Sequence, residues 1–192
     1  MISDIRVLNT EILSNNWYIL RKVTYEYRKP DGSMHVQSRE AYDRGNGAAI
    51  LLYNKEKGTV ILTRQFRLPT YINGNPDGML IEVAAGLLDK DNPEECIRRE
   101  TAEETGYQVK EVKKVFDAYM SPGSVTEVLY LFIAEYEPSM KTGQGGGVAH
   151  EEENIEVLEL PFLKAVEMIR SGEIRDAKTI MLIQYLQLYG SI

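Results

Sequence analysis

Apolar and polar residues alternate over residues 19–27 and 33–42, on either side of Lys29-Pro-Asp-Gly32. Successive side chains on a strand point to opposite faces, so this alternation around a Pro- and Gly-containing turn predicts a β-hairpin. Two more strands, 48–53 and 59–66, flank the turn sequence Asn54-Lys-Glu-Lys-Gly58, and 79–85 reads as a mostly apolar strand. Residues 86–91 read as a tight loop that leads into a helix. Asn92 is a favoured N-cap, Pro93 suits the first turn, Glu95 stands at the capping-box position, and Gly106 ends the helix in a left-handed conformation. Strands follow at 111–119 and 127–136, separated by Ser121-Pro-Gly-Ser124. Lys141-Thr-Gly-Gln-Gly-Gly-Gly-Val-Ala-His150 reads as a flexible glycine-rich loop, and 153–160 as a short strand. Pro161 opens a helix to Ser171, and Ile180, Met181, Ile183, Leu186 and Leu188 mark a terminal helix over 176–189. The order is α+β and rich in strands, with no internal repeat.

The helix after Asn92 has an unusual face. Arg99, Glu100, Glu103 and Glu104 spell R-E-x-x-E-E. At 3.6 residues per turn, positions i, i+3 and i+4 fall within an arc of about 100°. Three like charges at that spacing repel by a few tenths of a kcal/mol per pair. A solvated acidic face is the plain explanation on spacing alone; a bound cation is the other, and hard oxygen ligands suit Mg2+ or Mn2+.

Composition narrows the setting. A length of 192 residues suits one domain, or one domain with a small appendage. With 43% hydrophobic and 27% charged residues the chain reads as an ordinary globular protein. It has no apolar run of about 18 residues and no signal-peptide pattern, so a cytoplasmic protein is expected, with no membrane partner. The single cysteine, Cys96, fits a reducing compartment and reads as a small buried hydrophobe. A net charge of −7 argues against nucleic acid as a partner. Gly172-Glu-Ile-Arg-Asp-Ala-Lys178-Thr179 looks like a P-loop but follows a helix and has Ala177 where the second glycine belongs, so that reading is rejected. His35 and His150 stand too far apart and in settings too different for a zinc site.

The strand, loop and acidic helix resemble the box of the Nudix superfamily, G-x5-E-x7-R-E-U-x-E-E-x-G-U, where U is a bulky apolar residue. The match runs from Arg99 to Gly106 at every charged position and at the glycine. The front end departs: Asn92 stands where the box glutamate falls when counted from Gly86, Asp91 where it falls when counted back from Arg99, and Thr101 replaces an aliphatic residue. RQFR (64–67), YMSPGSVTE (119–127), GGGVAHEEENIEV (145–157) and GEIRDAKT (172–179) resemble the nucleoside-diphosphate-sugar branch, closest to its bacterial GDP-mannose hydrolases.

The resemblance implies a mixed β-sheet between helices, residues 44–192, preceded by an antiparallel β-hairpin extension, 1–43, used for homodimerisation. It implies Mg2+ held by Glu100, Glu104, Glu153 and the Ala85 carbonyl, with Glu151, or failing that Glu103, as the base that activates water. Arg64 and Arg67 are the expected clamp on a diphosphate. Gly86, Glu127 and Lys178 are further substrate contacts, and Trp17, Arg39 and Glu40 belong to base recognition. The implied reaction splits GDP-mannose into GMP and mannose 1-phosphate. ADP-ribose hydrolysis is the enzymatic alternative, and a nucleotide-sugar sensor without turnover is the alternative of another class.

Overall fold

The computed structural model describes residues 1–88, 92–148 and 154–190, which divide into two compact units. The first comprises Met1–Asn46 with Tyr119–Val128, and the second Gly47–Ala118 with Leu129–Ile192.

The first unit is a three-stranded antiparallel sheet in the order β1 (Ser3–Asn15), β2 (Ile19–Arg28), β3 (Met34–Asp43). The expected hairpin is β2–β3, with Arg28 opposite Met34. Its turn is closed by the Asp31 side chain, which accepts from the Ser33 amide at 2.9 Å. The hairpin is not the whole extension, because β1 adds a third strand that the apolar pattern does not reveal. Register shifts at Ser3/Arg6, Val7/Asn9 and Ile12/Ser14 break its alternation, so Ile5, Val7, Leu8, Ile12 and Leu13 lose the period of two. Residues 119–128 return to this unit, where Tyr42 donates to the Ser124 carbonyl and Thr126 donates back to the Tyr42 carbonyl.

The second unit is a mixed sheet with helices on both faces. Its order is β10 (Glu156–Pro161), β5 (Thr59–Phe66), β4 (Gly47–Asn54), β9 (Val128–Glu135), β8 (Lys113–Tyr119). Two short strands complete it: β6 (Met79–Glu82) on β5, and β7 (Ala84–Leu87) on β4. β4 is the centre, antiparallel to β5 and β7 and parallel to β9. A strand covered on both faces reads as an unbroken apolar run, which is why Gly47–Asn54 lacks alternation. Helix α2 (Pro93–Thr105) packs on one face, where Cys96 and Ile97 meet Ala48, Ile50, Leu52 and Phe132. Helices α3 (Phe162–Ser171) and α4 (Ala177–Tyr189) bury Phe162, Val166, Leu182, Ile183 and Leu186. A short helix, α1 (Leu68–Ile72), follows β5.

Three local expectations change. The strand foreseen over 79–85 is broken at Val83 into β6 and β7. Gly86 lies inside β7, opposite Ala48, and not in a loop. The described part of the glycine-rich loop is also tied down. Gly146 and Gly147 donate their amides to the Glu104 and Glu103 carbonyls at 2.9 and 3.1 Å, and Thr142 and Gly143 donate to the Gly106 carbonyl. These bonds satisfy carbonyls that the end of α2 leaves without helical partners.

Gly145 makes that approach possible. Its φ is +69°, and a Cβ there would run into the Glu104 carbonyl and the Thr105 backbone. Gly58, at φ +63°, has open space around it. Denaturant unfolding should therefore separate them: Gly58→Ala lowers stability by about 1–2 kcal/mol for the left-handed backbone alone, and Gly145→Ala by clearly more. Equal losses would mean that the loop does not press on α2.

Candidate functional site

α2 begins as its sequence dictates, with the Asn92 side chain accepting from the Glu94 and Glu95 amides at 3.0 Å each. It ends at Gly106 with φ 78°. Between these caps its phase turns Cys96, Ile97, Thr101, Glu104 and Thr105 inward. Thr101, the residue that departs from the box, is fully buried at an apolar position because its hydroxyl donates to the Ile97 carbonyl.

Glu100 and Glu104, one turn apart, lie along the backbone of β7. A Cβ on Gly86 would overlap the Glu100 carboxylate, so glycine here makes room for an acid. Glu104 is 2% exposed, and its Oε2 accepts from the Ala85 amide at 3.3 Å. Arg99 pairs with Glu100 at 2.9 Å and with Glu103 at 3.2 Å, spanning the acidic face from its solvent side. Taking carboxylates out of water is unfavourable unless positive charge compensates. The hard-oxygen donor set and the glycine cradle fit a divalent cation. Among the described residues, His, Cys, Asp and Glu side chains form no group of three able to hold a metal. Glu100 and Glu104 are thus the described share of the expected carboxylate ligands; Glu151 and Glu153 lie outside the described residues.

A second charged cluster sits next to the first. Glu82, the last residue of β6, is 3% exposed. Its Oε2 accepts from Arg67 Nε and its Oε1 from Lys178 Nζ, both at 2.7 Å. Lys178 also donates to Asp176 Oδ1 at 3.0 Å. Burial acts to lower the Lys178 pKa, but Glu82 and then Asp176 outweigh it and hold the ammonium above its ordinary value. Lys178 is therefore a charged, enclosed side chain at the start of α4. Asp176 is the N-cap of that helix, accepting from the Thr179 amide and hydroxyl at 3.0 and 2.6 Å.

The two arginines of RQFR go to different partners. Arg67 meets Glu82, whereas Arg64 reaches Asp77 at 3.5 Å and Glu156 at 3.6 Å. Arg64 lines a cleft of about 400 Å3 with Asn75, Ile81, Glu156 and Arg175. Ile81 and Glu156 are its register partners on β6 and β10.

The remaining expected contacts belong to the first unit. Trp17 is 84% exposed and meets Tyr18 edge to face at 6.3 Å. Arg39 and Glu40 are exposed on β3, opposite Val23 and Lys22. Glu127 lies 3.6 Å from Arg44, whose guanidinium stacks over Tyr18. Asp176 and Thr179 carry no candidate role in the sequence, although D-x-x-T at the start of an apolar helix is an N-cap signal.

Comparison with known proteins identifies the family. Residues 4–42 match the model of the GDP-mannose pyrophosphatase NudK N-terminal domain, and residues 43–182 match the NUDIX domain. A Klebsiella pneumoniae protein named GDP-mannose pyrophosphatase is 58% identical over 190 residues, covering 99% of this chain and 95% of its own. Proteins of the same name from Cronobacter sakazakii and Salmonella typhimurium are 56% and 58% identical, with at least 97% of each chain covered. The crystal structure of an ADP compounds hydrolase superposes with a TM-score of 0.72 at 18% identity, over 99% of this chain and 98% of that one. That likeness is one of fold. With an acidic helix laid on a glycine-bearing strand and a domain match across most of its length, the chain belongs to the Nudix hydrolase family.

Proposed function

We propose that this chain hydrolyses the diphosphate bond of GDP-mannose, giving GMP and mannose 1-phosphate, with Mg2+ or in its place Mn2+ as cofactor. The observation that carries the reading is the Glu100–Glu104 pair held against Ala85 and Gly86. The substrate follows the relatives named GDP-mannose pyrophosphatase at 56–58% identity.

Glu100, Glu104, the Ala85 carbonyl and Glu153 are the proposed metal ligands. Mg2+, when bound, neutralises diphosphate charge and lowers the pKa of a bound water. The chain's own residues hold and orient. Arg99 fixes the rotamers of Glu100 and Glu103 through its two ion pairs. Arg67 spends one N–H on Glu82 and, with its side chain 40% exposed, has others for phosphate oxygens. Glu151 takes the proton of the attacking water, with Glu103 second in line. Arg64, Gly86, Glu127 and Lys178 complete the proposed substrate contacts, and Trp17, Arg39 and Glu40 read the base. Most of the acceleration then comes from positioning and charge neutralisation, as in phosphoryl transfer generally.

A homodimer belongs to the same reading. All 13 residues of β1 are exposed, among them Ile5, Val7, Leu8, Ile12 and Leu13. Apolar side chains gathered on one strand mark a surface that another chain covers, and a second copy of this chain is the proposed partner. We also place the protein in the cytoplasm, on its single buried cysteine; no described helix is long and apolar enough to cross a membrane.

Two measurements test these proposals. Purified protein with Mg2+ should release GMP and mannose 1-phosphate from GDP-mannose in preference to cleaving ADP-ribose. Glu104→Gln should lose at least about 100-fold in kcat/KM, the scale of a removed metal ligand or its support. Binding without turnover would identify a sensor, and a preference for ADP-ribose would change the substrate. Light scattering should give twice the chain mass for the wild type and the single-chain mass for Ile5→Lys/Ile12→Lys. A monomeric wild type would remove the dimer.

A further inference from the structure

The amide of Val83 sits at the break between β6 and β7, and it donates to the Thr179 hydroxyl at 2.8 Å. Thr179 is wholly buried and Val83 is 1% exposed. The same hydroxyl donates to Asp176 Oδ2 at 2.6 Å, so its polarity is set: it gives its proton to the N-cap and turns a lone pair to the strand. Next to it, Lys178 joins Asp176 Oδ1 to Glu82 Oε1. Residues 176–179 therefore grip residues 82 and 83 at two points, one on the backbone and one on a side chain. Ala85, whose amide meets Glu104, follows two residues later, about 7 Å along the strand.

We propose that Thr179 and Asp176 are positioning residues that set the strand carrying the Ala85 carbonyl, and through it the geometry of the cation site. The inference rests on the Nudix metal site proposed above, but not on the identity of the substrate. A strand break leaves one amide without a ladder partner, and a buried amide needs one. Here that partner comes from the terminal helix, so the position of β7 against α2 is fixed from the far end of the chain. The P-loop look-alike at 172–179 is thereby given a different role, an N-cap whose threonine also serves a neighbouring strand.

Thr179→Val keeps the shape and removes the hydroxyl, while Thr179→Ser keeps the hydroxyl. Mn2+ titration of the metal-free protein, followed by water-proton relaxation, reads the cation site without turnover. The expected result is about 10- to 100-fold weaker Mn2+ binding in Thr179→Val, with Thr179→Ser within about threefold of wild type. The kinetic counterpart is a fall in kcat at saturating GDP-mannose with KM changed by less than about threefold, since base and sugar contacts are untouched. A folded Thr179→Val with wild-type Mn2+ affinity overturns the inference. If that variant does not fold, Asp176→Asn, which retains a capping side chain, must still weaken Mn2+ binding by at least about threefold, and unchanged binding overturns it equally. A wild type that binds Mn2+ tightly but leaves GDP-mannose intact would fail the substrate reading and not this one. A wild type that binds no Mn2+ would remove both.

Discussion

Two carboxylates one helical turn apart are pressed against the backbone of a strand, and neither geometry nor electrostatics gives that arrangement freely. Glu100 needs a residue without a side chain beneath it, which Gly86 supplies. Glu104 needs a donor, and the Ala85 amide is close enough to be one. Their mutual repulsion is offset on the solvent side by Arg99, which meets Glu100 and Glu103 at once. The placement then depends on α2 keeping its phase over β7 to a fraction of a residue, since a rotation of one position, about 100°, would carry both acids away.

Both ends of the helix serve that requirement. Asn92 fixes the start through two backbone amides, and the glycine-rich loop caps the finish through the carbonyls of Glu103 and Glu104. The strand is held as well: β4 pairs with it along one edge, and Thr179 meets the amide at its break. The core beneath is ordinary, with Cys96 and Ile97 on Ala48, Ile50 and Phe132. Thr101 shows how far packing decides identity at these positions, since a polar residue is accepted once its hydroxyl has a carbonyl to bond.

Much of this was legible in the chain because it is local. The caps of α2, its acidic face and the β2–β3 hairpin depend on residues within a few positions of one another, and the sequence pattern marks them. β1 was not legible because three register shifts scramble its alternation. Arg64 and Arg67 stand three residues apart at the end of β5. An odd spacing on extended backbone turns side chains to opposite faces, and their separate partners follow from that. The grip of Lys178 on Glu82 spans 96 residues, and no local pattern encodes a contact of that separation. The broken strand at Val83 was hidden for the same reason, because its missing ladder partner is replaced from α4.

The central strand has an implication for how the chain is made. β4 takes β5 from its immediate neighbourhood but its parallel partner, β9, from the far side of the acidic helix, with Gly47 opposite Leu129. A chain emerging from the ribosome thus presents β4, β5, β7 and α2 before residues 128–135 exist to cover the remaining edge. Throughout that interval an apolar strand with unpaired amides and carbonyls is exposed, the kind of surface on which other chains pair and aggregate. Parallel pairing across such a loop is slow, because the loop must close before any contact rewards it. The vulnerable moment of this protein is therefore set by the order of its strands, and it ends only when β9 arrives.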